Sequence, residues 1–118
     1  MAAGPALFAI TESNQLDLTP LLARLADEPD AGFGASLFHA TVVEALAEWV
    51  SRAALERGIA TVACGGGCFL NSILARGLRE AFAARGIAML EAKAVPPNDG
   101  GLSLGQAWVA LQAIAQER

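Results

Sequence analysis

The chain has no tyrosine, one histidine and two cysteines among its 118 residues. Two thiols, with His39 as a third soft ligand, fall short of the four ligands that a structural zinc site takes. Cys64 and Cys68 flank a triple glycine, and a lone pair placed like that does not build a disulfide framework. They read as two thiols near a strand end. No Ser/His/Asp or Cys/His set can be placed together, so nucleophilic catalysis by this chain has no support. Charge is also sparse: eight basic against twelve acidic residues give a net charge of −4. The basic residues are scattered, which excludes the clustered footprint of a nucleic-acid binder. No apolar run approaches the roughly 20 residues that cross a bilayer. The opening MAAGPALFAI lacks the basic start of a secretory signal. The expectation from these absences is a cytoplasmic protein with no membrane and no nucleic-acid partner.

What is present is apolar surface. Hydrophobic residues make up 54% of the chain, with alanine supplying much of the excess. At this length one small domain over residues 1–118 is expected, with a surface that awaits a partner, either another domain or a second copy. ALFAI (Ala6–Ile10) and LDL (Leu16–Leu18) form a candidate hairpin around TESNQ. Thr19-Pro20 opens a short helix, PLLARLADE, with proline in its first turn. PDAGFG (Pro29–Gly34) is expected to be a loop. From Ala35 to Arg57 a long helix is predicted, with Ser36 as a possible N-cap and Phe38, Val42, Leu46, Trp49 and Ala53 as its stripe. Ile59–Cys64 reads as a buried strand. A helix follows from about Phe69 to Arg85 (stripe Leu70, Ile73, Leu74, Leu78, Phe82). Ile87–Ala92 is another strand, and a last helix runs from Ser103 to about Gln116, with stripe Leu104, Ala107, Trp108, Leu111 and Ile114. Gly58 and Gly86 end their helices. Residues 1–34 are thus hairpin and short helix; residues 35–118 are a helix-strand-helix-strand-helix core. The fold class is α/β, and strands separated by helices imply parallel pairing with right-handed crossovers.

Two loops carry the candidate chemistry. In ACGGGCFLN, Gly65, Gly66 and Gly67 sit between a strand and a helix. Such a turn lets backbone amides approach a phosphate, and the helix start adds positive potential. It is no P-loop, since no Gly-Lys-Ser/Thr follows. It partly fits a dinucleotide fingerprint, with Gly65 and Gly67 as G-x-G and Glu91 about twenty residues on, but Leu70 stands at the third glycine position. A Rossmann-like fragment therefore stays open. Asn71, near the next helix start, is either a nucleotide contact or an ordinary polar residue. In VPPNDGGLSLGQA, Asp99 is either a turn residue or a metal-binding carboxylate beside phosphate-cradling glycines, Gly100 and Gly101. Asn98 and His39 are possible accessories. Both loops follow strand C-termini, which puts them at one edge of the sheet, where ligands of such sheets sit.

VACGGGCFLNSILARGL followed by VPPNDGGLSLGQAWVA resembles the C-terminal part of the HypF family of hydrogenase-maturation carbamoyltransferases, whose segments run roughly V-L-S-G-G-V-F-Q-N-x-x-L and P-x-N-D-G-G-x-x-L-G-Q-A. Leu37–His39 and QLDLTPLLARL are similar to it as well, so the likeness covers nearly the whole chain. The second motif is specific; the first is shared more loosely with threonylcarbamoyl-adenosine synthesis proteins and NodU-type O-carbamoyltransferases. The resemblance implies one RNase H-like half of an actin/Hsp70-like (ASKHA) ATPase domain, a mixed sheet with helices packed on it. It implies nucleotide contacts at Gly65, Gly66, Gly67, Asn71, Gly100 and Gly101, and a divalent metal held by Asp99. The implied reaction makes carbamoyl-adenylate from carbamoyl phosphate and ATP and passes the carbamoyl group to the C-terminal cysteine of a HypE-type acceptor. That group becomes the cyanide ligand of [NiFe]-hydrogenase. Cys68 replaces the family's valine and Leu70 its glutamine. The family's His-x-x-x-His metal pair and its acylphosphatase-like, zinc-finger and YrdC-like modules have no match here. The expectation is a fragment that is inactive alone, needs the upstream domains, and self-associates in isolation. The competing expectation is a small α/β interaction module whose glycine loops are only turns.

Overall fold

A computed structural model describes residues 6–117; the ends of the expected 1–118 span, residues 1–5 and 118, lie outside the described residues. The chain opens with β1 (Ala9–Ile10) and β2 (Leu16–Asp17), paired antiparallel. Asn14 takes the left-handed conformation at the turn between them, with φ 62°, a place where Asn is tolerated. Its carbonyl accepts from the indole Nε1–H of Trp49 at 2.9 Å, which fastens the hairpin to the long helix. Helix α1 spans Thr19–Ala26 with Pro20 in its first turn. Just ahead of it, Asp17 Oδ1 accepts from the Thr19 amide at 2.9 Å.

Helix α2 runs Ala31–Arg57, four residues longer at its start than expected. The N-cap is Asp30, whose Oδ1 accepts from the Phe33 amide at 3.1 Å; Ser36 lies inside the helix. Four of the six residues of the expected PDAGFG loop, Ala31 to Gly34, are therefore helical. A satisfied cap, worth about 1 kcal/mol, offsets part of the cost of two internal glycines, about 1 kcal/mol each in a helix. The buried residues of α2 are small ones, Thr41, Ala45, Ala47 and Ala54, while Phe38 is exposed. The helix is apolar around most of its circumference, so the larger residues of the expected stripe stand at the margins of the contact.

Gly58 stops α2 at φ 67° and Gly86 ends the next α-helix at φ 73°. In both, the next amide reaches back five residues, Ile59 to Ala54 and Ile87 to Phe82, each at 2.9 Å. This is the glycine-terminated helix end in which only a residue without Cβ adopts the left-handed turn cheaply. The chain then enters β3 (Thr61–Cys64) and β4 (Ala88–Glu91), which pair in parallel with Cys64 opposite Glu91. Between them lie a 3₁₀ turn, Gly67–Leu70, and α3, Ser72–Ala84. Phe69 and Leu70 thus precede α3, and Leu70 and Ile73 are exposed where a buried stripe was expected. Ala75, Leu78 and Phe82 are the buried residues of α3, and near its middle the approach to α2 is close. A Cβ on Gly77 would come within 2.9 Å of the Val43 Cγ2. Gly77→Ala should consequently destabilise the chain by about 1 kcal/mol, overpacking of ~1–3 kcal/mol outweighing the propensity gain of ~1 kcal/mol. Val43→Ala in the same chain should recover part of the loss in urea unfolding.

One core forms from Ala47, Ala54, Leu78, Phe82 and Ile87, with Val62, Cys64 and Met89 packed against it from the sheet. The expected single mixed sheet is replaced by two separate pairs. The parallel pair is covered on one face only: Val62, Cys64 and Met89 face α2 and α3, while Ala63, Ala88 and Leu90 are exposed. Parallel strands normally bury both faces. Helix α4 (Leu102–Gln116) has no buried residue along its length. The radius of gyration is 17.5 Å, against about 13–14 Å for a compact domain of this length. The layers of this fold are open on one side. Among the described residues no helix is long and apolar enough to cross a membrane.

Candidate functional site

The two glycine-bearing loops meet at the C-terminal edge of the β3–β4 pair. The Gly66 amide donates to the Pro97 carbonyl at 2.6 Å, bridging them directly. Together they line an open cavity of about 1070 Å³, whose wall includes Gly65, Gly66 and Gly67 on one side and Pro96 to Asp99 on the other. α4 closes a third side with small residues, Gly105, Ala110 and Ala113.

The glycines divide into two kinds. A Cβ built on Gly65, Gly66 or Gly67 would meet nothing within 4 Å. Internal packing therefore does not require glycine there; only Gly66, at φ 101°, needs it for its backbone. All three glycines line the cavity. Since the Gly66 amide is taken by Pro97, the donors open to an anion are the amides of Gly65 and Gly67, which donate no loop hydrogen bond among the described residues. Gly100 and Gly101 differ. A Cβ on Gly101 would lie 2.7 Å from the Pro96 carbonyl oxygen, and one on Gly100 would lie 3.1 Å from both Pro96 and the Asn98 side chain. These two let the Pro-Pro loop fold back on itself. Only Gly101 reaches the cavity wall.

In the loop of Asp99 the side-chain cap is supplied by its neighbour. Asn98 Oδ1 accepts from the Gly100 amide at 3.0 Å and caps the short 3₁₀ turn Asp99–Gly101. Asp99 is exposed, lines the cavity, and takes part in no side-chain hydrogen bond or ion pair among the described residues. Turn chemistry uses Asn98 and leaves the Asp99 carboxylate free. Among the described residues no three His, Cys, Asp or Glu side chains converge. One carboxylate does not by itself make a metal centre.

Asn71 and His39 do not line this cavity. Asn71 Oδ1 accepts from the amides of Ile73 (3.0 Å) and Leu74 (3.3 Å) and is the N-cap of α3. Its Nδ2 lies 3.0 Å from His39 Nε2. His39 borders a second groove, between α2 and α3. Glu91, the acid of the Rossmann-like alternative, is held by Arg79 of α3 through Nε–Oε2 and Nη2–Oε1 contacts, both 2.8 Å. It is not available to a ribose. The Arg79 guanidinium holds the Glu91 carboxyl below the usual carboxylate range. With the folded value depressed, the pair's contribution is present above the unfolded pKa and lost as pH falls through the folded one. Glu91→Gln should therefore flatten the acid limb of the melting temperature plotted against pH. Burial, then the Glu91 charge, push the Cys64 thiol up, while Cys68 is exposed. Because the thiolate is the nucleophile, Ellman's reagent at neutral pH should label Cys68 well before Cys64, as peptide mass spectrometry would resolve.

A parallel strand pair bare on one face, a glycine turn and an acidic loop sharing one cavity, and a helix with no layer to rest on define a subdomain of a larger α/β protein. A family model described as carbamoyltransferase, Kae1-like domain, second subdomain, matches residues 2–106. The chain belongs to this family, that of the HypF carbamoyltransferases. It is 53% identical over 108 residues to carbamoyltransferase HypF2 of Cupriavidus necator, which covers 92% of the chain and 13% of that protein. It is 47% identical to a carbamoyltransferase HypF homolog of the same organism, over 87% of the chain and 28% of that protein. Against carbamoyltransferase HypF of Rhizobium leguminosarum bv. viciae the identity is 42%, over 86% of the chain and 14% of that protein. The chain thus spans between about an eighth and somewhat over a quarter of the relatives it matches.

Proposed function

We propose that this chain supplies one wall of the nucleotide site of a carbamoyltransferase that takes carbamoyl phosphate and ATP and carbamoylates the C-terminal cysteine of a HypE-type acceptor. In this reading the domain is of the actin/Hsp70-like kind and the rest of the site comes from the part of the protein outside this chain. The observation that carries it is the cavity whose wall holds both three glycines with no packing duty and one carboxylate with no side-chain partner among the described residues. The Gly65 and Gly67 amides hold phosphate oxygens. Asp99 supplies one oxygen ligand to a divalent cation whose remaining ligands lie elsewhere in the protein. That cation, when bound, neutralises charge on the phosphates. Asn71 and His39 hold the glycine turn and do not touch the nucleotide; Gly100, Gly101 and Asn98 shape the loop that presents Asp99. Alone, the chain lacks the ligands to turn over.

The cradle can be tested without disturbing the fold. Gly65→Ala and Gly67→Ala place a methyl group in open space, so thermal stability should be unchanged. In the full-length enzyme each should raise the KM for ATP by about tenfold or more, the scale of one or two lost charge-assisted hydrogen bonds. An unaltered KM in both would overturn the assignment.

A further inference from the structure

We propose that His39 is a positioning residue for the glycine turn, acting through Asn71. Asn71 closes the 3₁₀ turn that follows the glycines, its amide donating to the Cys68 carbonyl at 3.1 Å. It also starts α3, its Oδ1 accepting from Ile73 and Leu74. Whatever holds this side chain holds both the end of the glycine turn and the beginning of the helix.

The hydrogen bonds fix every proton in the link. Asn71 Oδ1 faces two backbone donors, so it is the oxygen, and the NH₂ group is the end directed at His39. An NH₂ group has no acceptor to offer, so His39 Nε2 carries a lone pair and accepts at 3.0 Å. His39 Nδ1 lies 2.9 Å from the Ala35 carbonyl, one turn earlier in α2, so Nδ1 carries the proton and donates. The ring is held at both nitrogens. Its orientation is further set by Phe38, which meets it edge to face at 5.5 Å. α2, the longest element, thereby indexes a turn 32 residues further along the chain through one polar contact. The inference rests on this geometry and stands whether or not the glycine turn receives phosphate.

The chain has one histidine, so ¹⁵N spectra of the ring are unambiguous. The expected tautomer of the ring in the unmodified 118-residue chain is Nδ1–H with Nε2 bare; an Nε2–H tautomer would overturn the proposal. His39→Ala should accelerate amide hydrogen exchange at Gly66, Phe69 and Asn71 by about tenfold, the scale of one lost hydrogen bond, and leave exchange at Leu21 in α1 unchanged. His39→Gln, whose Oε1 can stand where Nε2 stood, should restore the loop rates. Unchanged loop exchange in His39→Ala, or a His39→Gln variant no better than His39→Ala, would refute it. Should His39→Ala fail to fold, the tautomer of the unmodified chain still decides.

Discussion

Asp99→Ala, placed in a full-length carbamoyltransferase carrying this segment, is expected to lower carbamoyl transfer by about 10²-fold or more without lowering the melting temperature. The two halves of that expectation have separate grounds. Stability is spared because Asp99 is exposed and has no ion pair or side-chain hydrogen bond among the described residues. The turn it sits in is capped by Asn98, and its tight approach is made by Gly101 against Pro96. Activity falls because removing one preorganised charge contact at a reacting phosphate costs about 2.7–4 kcal/mol, or 10²–10³ in rate. Asn98→Ala is the control with the opposite signature. It removes a cap worth about 1 kcal/mol, loosens the loop, and should lower stability along with activity. Near-normal transfer by the Asp99→Ala enzyme would return Asp99 to the status of a turn residue and remove the metal from this loop.

Much of this site was legible in the sequence because its signals are local. A glycine directly after a β-branched strand, followed by a helical pattern, announces a strand-to-helix turn, and the β-α-β order puts two such turns at one edge. Gly58 and Gly86 announced their helix ends for the same reason, since the left-handed stop is a property of two or three residues. What was not legible depends on residues far apart or on phase. Nothing in the sequence links His39 to Asn71 or Trp49 to Asn14. The division of labour between Asn98 and Asp99 depends on which side chain turns inward, which composition does not encode. The start of α2 was misplaced because Gly32 and Gly34 look like loop residues, whereas the cap at Asp30 settles the matter. α4 shows how periodicity loses its meaning. Its sequence is uncharged and mostly apolar, so the stripe Leu104, Ala107, Trp108, Leu111, Ile114 reads as the packed face of the helix. The cavity is lined instead by the opposite face, through Gly105, Val109 and Ala113.

That outer stripe of α4 carries the second large effect, because it leaves the isolated chain with an apolar surface and no layer to cover it. Leu104, Trp108, Leu111 and Ile114 are 59%, 63%, 61% and 52% exposed. They recur at three- and four-residue spacing, the seam along which two helices pack. The chain has a net charge of −4, which opposes association, yet Leu102–Gln116 contains no Asp, Glu, Lys or Arg. The repulsion therefore originates away from the seam and is screened within about 8–10 Å at ordinary ionic strength. Burying ~400 Å² of apolar surface on each of two copies gains about 20 kcal/mol at 25 cal/mol/Å², against association costs of roughly 4–15 kcal/mol. The balance favours dimers or larger assemblies of the 118-residue chain at micromolar concentration, as sedimentation velocity would show. In the proposed intact enzyme the same stripe meets the rest of the domain. Trp108→Glu with Leu111→Glu should make the isolated chain monomeric while leaving the core of Leu78, Phe82 and Ile87 folded, since neither residue belongs to it. A strictly monomeric unmodified chain at high concentration would mean that α4 stays solvated as a free helix, an outcome that its uncharged sequence and exposed apolar stripe argue against.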